Sequence, residues 1–220
     1  MSFLEKAIEF LITLSIVAAV LLCLVVFAVL IHYFRTRAMA LKLLRRGKRS
    51  GDFIYDLLKT SFQTSRIFKR IALPTQLPDG TKTRVPADLI LVDRGGVFVI
   101  RVRHLSGEID NTDPRVWTVR NREGILEIAN PFEQNRPALL AVEKILRREN
   151  VYNVPLYSLV VFSGKKVSFR ARAEKLLTSN RLLETIRDIN RDKVLNQKEI
   201  SATVTAIDKY LPKKRPNRKA

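Results

Sequence analysis

The side chains in this sequence best suited to chemistry are cations, and their grouping suits phosphate. Arg101 and Arg103 share one face of a β-rich run, because successive side chains on a strand point to opposite sides. Lys165, Lys166, Arg170 and Arg172 flank the end of the next apolar run. Grouped charges of this kind bind phosphate and release counterions as they do so; the alternative is a solvated basic surface with no ligand. Asp88 is the carboxylate that a hairpin would bring against the two arginines. With Arg94 and Gly95 as a two-residue turn, Asp88 faces Arg101; with Gly95 and Gly96 as the turn, it faces Arg103. Either register gives it a cationic neighbour.

Other chemistries lack their spacing. His32 and His104 do not form a metal-binding pair, and the single cysteine, Cys23, excludes a disulfide framework or a Cys-rich zinc site within one chain. Ser106 and Ser163 stand in no recognisable nucleophile motif. Ser163-Gly164-Lys165-Lys166 is not a P-loop, and Gly95-Gly96 lacks dinucleotide-binding spacing. The balance of 40 Lys and Arg against 21 Asp and Glu, a formal +19, predicts anionic partners, nucleic acid or lipid headgroups.

The elements that must position these groups mix helix and strand. Apolar residues at Phe53, Ile54, Leu57, Leu58 and Phe62 have helical spacing over 52–62. Strands are expected at 66–73, 87–92, 97–102, 117–120, 125–128 and 156–162, and helices at 137–148, 181–189 and 199–211. Asn196 and Glu199 offer a capping box for the last helix. The expected fold class is α/β or α+β, a mixed sheet flanked by helices.

An apolar run precedes this domain. Phe10 to Ile31 contains no charge, Gly or Pro, and as a helix it would extend roughly 33 Å, enough for a hydrocarbon core of roughly 30 Å. Arg35, Arg37, Lys42, Arg45, Arg46, Lys48 and Arg49 follow it with no acid until Asp52. The positive-inside rule then puts the N-terminus outside and the C-terminal domain in the cytoplasm, in a single-pass cell-membrane protein. The same seven cations could contact anionic lipid. The expected organisation is an N-terminal segment with one span over 1–34, a basic linker over 35–50, a domain over 51–165, a helical extension over 166–211 and a basic disordered tail over 212–220.

Asp88-Leu89-Ile90-Leu91-Val92, the glycine turn, the run from Val97 to Gly107, Trp117, Asn130-Pro131-Phe132-Glu133-Gln134 and Leu159–Phe162 together resemble the nuclease-related domain (NERD) family over roughly 51–165. Gly51-Asp52 stands where that family usually shows Gly-Glu. The resemblance implies a restriction-endonuclease-like core, whose signature is an Asp followed on the hairpin partner by Glu-x-Lys. There, two carboxylates hold Mg²⁺, which activates water, and the lysine positions it. Asp88 matches the Asp, but Arg101-Val102-Arg103 occupies the Glu-x-Lys positions. A guanidinium offers a metal no oxygen, and a positive charge about 5 Å from a divalent ion costs roughly 7 kcal/mol at an effective dielectric of 20. No metal site and no cofactor are therefore expected, with an ion pair standing where the metal stood. Asp52 and Gln134 are accessory positions at most.

The expected function is a membrane-anchored, catalytically inactive NERD-like domain. It would bind nucleic acid through Arg101, Arg103, Lys165, Lys166 and Arg170, or a protein partner. Two alternatives stand beside it: a Mg²⁺-dependent nuclease with a rearranged site, and a structural protein whose basic surface meets anionic lipid.

Overall fold

In a computed structural model of the chain, residues 21–27, 30, 49–76, 80–192 and 194–211 are described. The chain divides into two units, 1–46 and 47–220. In the first, residues 21–27 and 30 are helical, with Leu21, Leu22, Leu24 and Phe27 exposed. No helix of the described residues is long and apolar enough to cross a membrane. Most of the expected span, the cations from Arg35 to Lys48 and the tail from 212 lie outside the described residues.

The second unit opens with a helix over 49–61 (α1). There follow β1 (Arg66–Gln76), β2 (Lys82–Asp93), β3 (Gly96–Arg103), β4 (Gly107–Asp110), β5 (Val116–Asn121) and β6 (Gly124–Ala129). The chain continues through α2 (Pro131–Arg148), β7 (Leu156–Phe162), β8 (Val167–Phe169), β9 (Leu176–Thr178), α3 (Ser179–Asn190) and α4 (Gln197–Lys209). Two mixed sheets result, with strand orders β1-β2-β3-β7-β9 and β6-β5-β4-β8. β1 to β3 are antiparallel neighbours, whereas β7 runs parallel to both β3 and β9. In the second sheet β4 and β8 are the parallel pair.

Helices cover both faces of the first sheet, which is why β2 and β3 read as nearly continuous apolar runs. Ile90, Val92, Val97 and Val99 pack with Ala138, Ala141 and Val142 of α2 and with Ile200 and Ile207 of α4. Their neighbours Leu89, Leu91, Phe98 and Ile100 pack on the other face with Ile54 and Leu58 of α1 and Leu182 and Ile186 of α3. The sheets meet through a third cluster, where Val160, Phe162 and Leu176 bury themselves against Ile109, Trp117 and Val119.

The strands and helices read from periodicity fall where apolar spacing placed them, and the Asn196–Glu199 capping box is formed. Two features differ. The helix expected from Pro137 begins at Pro131, because the Asn130 side chain accepts the Phe132 N–H at 2.9 Å and a proline in the first turn needs no hydrogen-bond partner. The strands also make two sheets rather than one. β4, β8 and β9 supply the difference, and at three or four residues each they are too short to show an alternating pattern.

At the exit of β7, Gly164 passes directly against the main chain of Leu105. A Cβ there would collide with the Leu105 carbonyl and the Ser106 hydroxyl, so backbone must move to admit it. Gly164→Ala is expected to destabilise the domain by about 1–3 kcal/mol, and a chemical-denaturation midpoint matching wild type would contradict that packing.

Candidate functional site

The β2–β3 hairpin positions the residues singled out by their charge. Its turn is Arg94-Gly95, with Asp93 opposite Gly96. Gly96 has φ 137, and a Cβ at that position would strike the Pro155 carbonyl, which accepts the Val97 N–H at 2.9 Å. The buried Asp93 carboxylate fixes the turn from below: Oδ1 accepts the Arg94 N–H at 2.8 Å and Oδ2 accepts Asn190 Nδ2 at 2.6 Å. Asn190 Oδ1 in turn accepts the Gly95 N–H at 2.9 Å. The resulting register pairs Leu89 with Ile100 and so places Asp88 opposite Arg101.

Both Asp88 oxygens are engaged. Arg101 Nη1 lies 3.5 Å from Oδ1, and the Val102 N–H donates to Oδ2 at 3.0 Å. The Arg101 side chain is 15% exposed and its Nε is buried with no partner. Arg103 projects on the same face as Arg101. Burial and the neighbouring Arg101 guanidinium pull its pKa below the ordinary arginine value, with Asp88 acting in the opposite direction. Two partly buried guanidiniums thus stand side by side, with one of them, Arg101, ion-paired to Asp88. On the other flank of Asp88, Lys69 pairs with Leu89 and Ile71 with Ala87, which brings Arg70 to its level on β1. Arg70 holds a left-handed φ of 49, and its guanidinium reaches Asp52 at 2.6 Å.

The accessory positions do not join this group as metal ligands. Asp52 is held between Lys69 at 2.5 Å and Arg70 at 2.6 Å, which keep its carboxyl below the usual aspartate range. Glu133 pairs with Arg136 on the exposed side of α2. Gln134 lies in the first turns of α2, and its buried Oε1 accepts no hydrogen bond. Among the described residues, no three of His, Cys, Asp or Glu come together in a way that could hold a metal ion. Mg²⁺ requires several hard oxygens in octahedral array. A lone carboxylate already bonded to an arginine and a backbone amide does not fit it.

The remaining cations occupy a neighbouring turn. Lys165 and Lys166 are exposed in the link between β7 and β8, which runs beside the end of β3: the Ser163 N–H donates to the Arg103 carbonyl at 2.9 Å, and the Gly107 N–H to the Lys166 carbonyl at 3.2 Å. Arg170 is drawn to Asp110 at 2.6 Å, and the Thr112 hydroxyl with Arg170 keeps that carboxyl below its usual range. Arg172 is exposed.

One grouping escaped the sequence. Ser163 does have a histidine partner: His104 Nδ1 lies 3.2 Å from its Oγ, and Ser50 Oγ hydrogen-bonds to the same hydroxyl. Parallel pairing of β3 with β7 brings the two strand ends together, which no local spacing reveals. Its effect is to tie the start of α1 to both strands.

A family model described as nuclease-related domain matches residues 46–163. The chain belongs to the NERD family. No curated protein and no solved structure matches it. The NERD match covers α1, the β2–β3 hairpin, the β4–β6 meander, α2 and β7. In this NERD domain β8 and β9, beyond the matched residues, complete the edges of the two sheets.

Proposed function

We propose that this NERD domain binds the phosphate backbone of nucleic acid and has given up nuclease chemistry. The observation that carries the reading is the pair of partly buried guanidiniums, Arg101 and Arg103, on one face of β3, of which only Arg101 is ion-paired to Asp88 among the described residues. The arrangement leaves a net positive charge in a partly desolvated setting, where an anion is attracted more strongly than at an open surface. Lys165 and Lys166 extend the charge along the neighbouring turn, while Arg170 is already engaged by Asp110. The apolar run from Phe10 to Ile31 serves in this reading as the membrane anchor. The cations from Arg35 to Arg49 would then hold the domain at the cytoplasmic face, where they can also meet anionic lipid.

Salt-dependent binding of DNA and RNA oligonucleotides to the detergent-solubilised full chain tests this. Replacing both Arg101 and Arg103 with Ala is expected to weaken binding about tenfold or more, and to lower the log–log salt slope by about two. An unchanged slope would remove the two arginines from the interface. A plasmid-cleavage assay with Mg²⁺ and with EDTA addresses the enzymatic alternative. Cleavage that needs the metal and disappears in Asp88→Asn would overturn the binding-only reading. Anionic liposomes that compete fully with oligonucleotide would instead favour lipid as the ligand of this surface.

A further inference from the structure

The β1–β2 hairpin carries a second basic site at its other end, about 20 Å along the strand from Asp88. A cavity of about 420 Å³ opens there between the end of β1, the start of β2, the last turns of α2 and Tyr210. Lys82, Lys144 and Arg148 line it, with Thr75, Gln76 and Thr83 on its strand side and Pro74 and Ile145 as apolar wall. Thr75 and Thr83 are direct cross-strand partners, so the ladder itself presents them together.

The three cations have no carboxylate among the described residues that line the cavity. The nearest acids, Glu143 in α2 and Glu149 at its C-cap, make their hydrogen bonds and ion pairs with other residues, although the Arg148 charge also acts on Glu149. Glu143 holds Arg147 at 2.6 Å. Glu149 accepts Lys209 Nζ at 2.7 and 2.9 Å and the Tyr210 hydroxyl at 2.7 Å, bonds that keep its carboxyl below the usual glutamate range. Lys144 and Arg148 are one helical turn apart, a spacing at which like charges repel. The negative end of the helix dipole accounts for a cation in the last turn of α2. It does not account for Lys82, which arrives from a strand.

We infer that this cavity is a binding site for a polyphosphate anion, either free or as the headgroup of a lipid. Three cations match the charge of two or more clustered phosphates, and the paired threonines carry hydroxyls that can serve as neutral donors to the same oxygens. The volume is at the small end of the range for ligand pockets and accommodates a compact anion.

Calorimetric titration of the full chain with inorganic triphosphate tests the site directly, with vesicles containing a phosphoinositide as a second arm. Wild type is expected to bind triphosphate, and Lys144→Ala combined with Arg148→Ala to weaken it at least tenfold; Lys82→Ala alone should weaken it several-fold. Lys198→Ala, on the exposed side of α4, serves as the control and should leave affinity unchanged. Vesicle binding that falls in the same variants assigns the headgroup as the source, whereas loss confined to the triphosphate arm assigns a free anion. Triphosphate affinity equal in wild type and in the Lys144/Arg148 variant overturns the proposal, as does an equal loss in Lys198→Ala, which would report net charge alone.

Discussion

Phe162→Ala is expected to destabilise the domain by about 3–5 kcal/mol. Phe162 is fully buried at the end of β7, stacks on Trp117 with ring centroids 6.4 Å apart and meets Phe169 edge-on at 5.5 Å. Its neighbours therefore come from three strands: Trp117 on β5, Phe169 on β8 and Ile109 on β4. Truncation removes aromatic surface from the seam where the two sheets meet and leaves a cavity that those strands can only partly close. Trp117 is the only tryptophan in the chain, so its emission reads that seam without interference. In the variant, emission should shift to the red and β4–β6 amides should exchange hydrogen faster than those of β2 and β3. Uniform loss of protection across both sheets would show that the seam does not separate two regions of unequal stability.

The second large effect concerns Asn135. It is fully buried in α2, and its Nδ2 donates to the Val99 carbonyl at 2.8 Å and to Ser158 Oγ at 2.9 Å. One amide thus ties the helix to two adjacent parallel strands. Asn135→Asp keeps the shape and removes the donors, leaving a carboxylate oxygen against a carbonyl oxygen in a water-excluded place. The expected loss at neutral pH is about 3 kcal/mol or more. The sign of its pH dependence follows from burial. Desolvation raises the pKa of the introduced carboxyl above the ordinary aspartate value of about 3.9, so the folded protein holds that proton more tightly than the unfolded chain. The deficit relative to wild type should therefore be greatest above the raised pKa and shrink as pH falls towards about 4. Denaturation curves of both proteins across that interval measure it; a deficit independent of pH would mean that the carboxyl is not buried in the folded state.

Long apolar periodicity was readable because burial imposes it. The helix over 49–61, the β2–β3 hairpin and β7 each carry enough alternating or continuous apolar residues to declare their faces. Capping chemistry is equally local, and Asn196 with Glu199 sufficed to place the start of α4. What escaped depends on partners distant in the chain. Nothing near Ser163 announces His104 or Ser50, which reach it through strand pairing and the placement of α1. The choice between the two hairpin registers hinged on Pro155 and Asn190, more than fifty residues away from the turn, on the order of a whole crossover unit. Charge showed the same division. Arg101 and Arg103 were visible as a pair from alternation alone, but the attachment of Arg170 to Asp110 required β4 and β8 to lie side by side.

The crossover between β3 and β7 has a kinetic consequence. Val97 lies against Leu156, yet β4, β5, β6 and α2 are all threaded between them. Bringing together chain segments separated by about 60 residues costs roughly 3–4 kcal/mol of closure entropy before any native contact compensates. The β1–β2 and β5–β6 hairpins face only short closures and can assemble early. Zipping of β7 onto β3 should then be a slow event, as should the equally distant pairing of β8 with β4, and β9 can join its sheet only through β7.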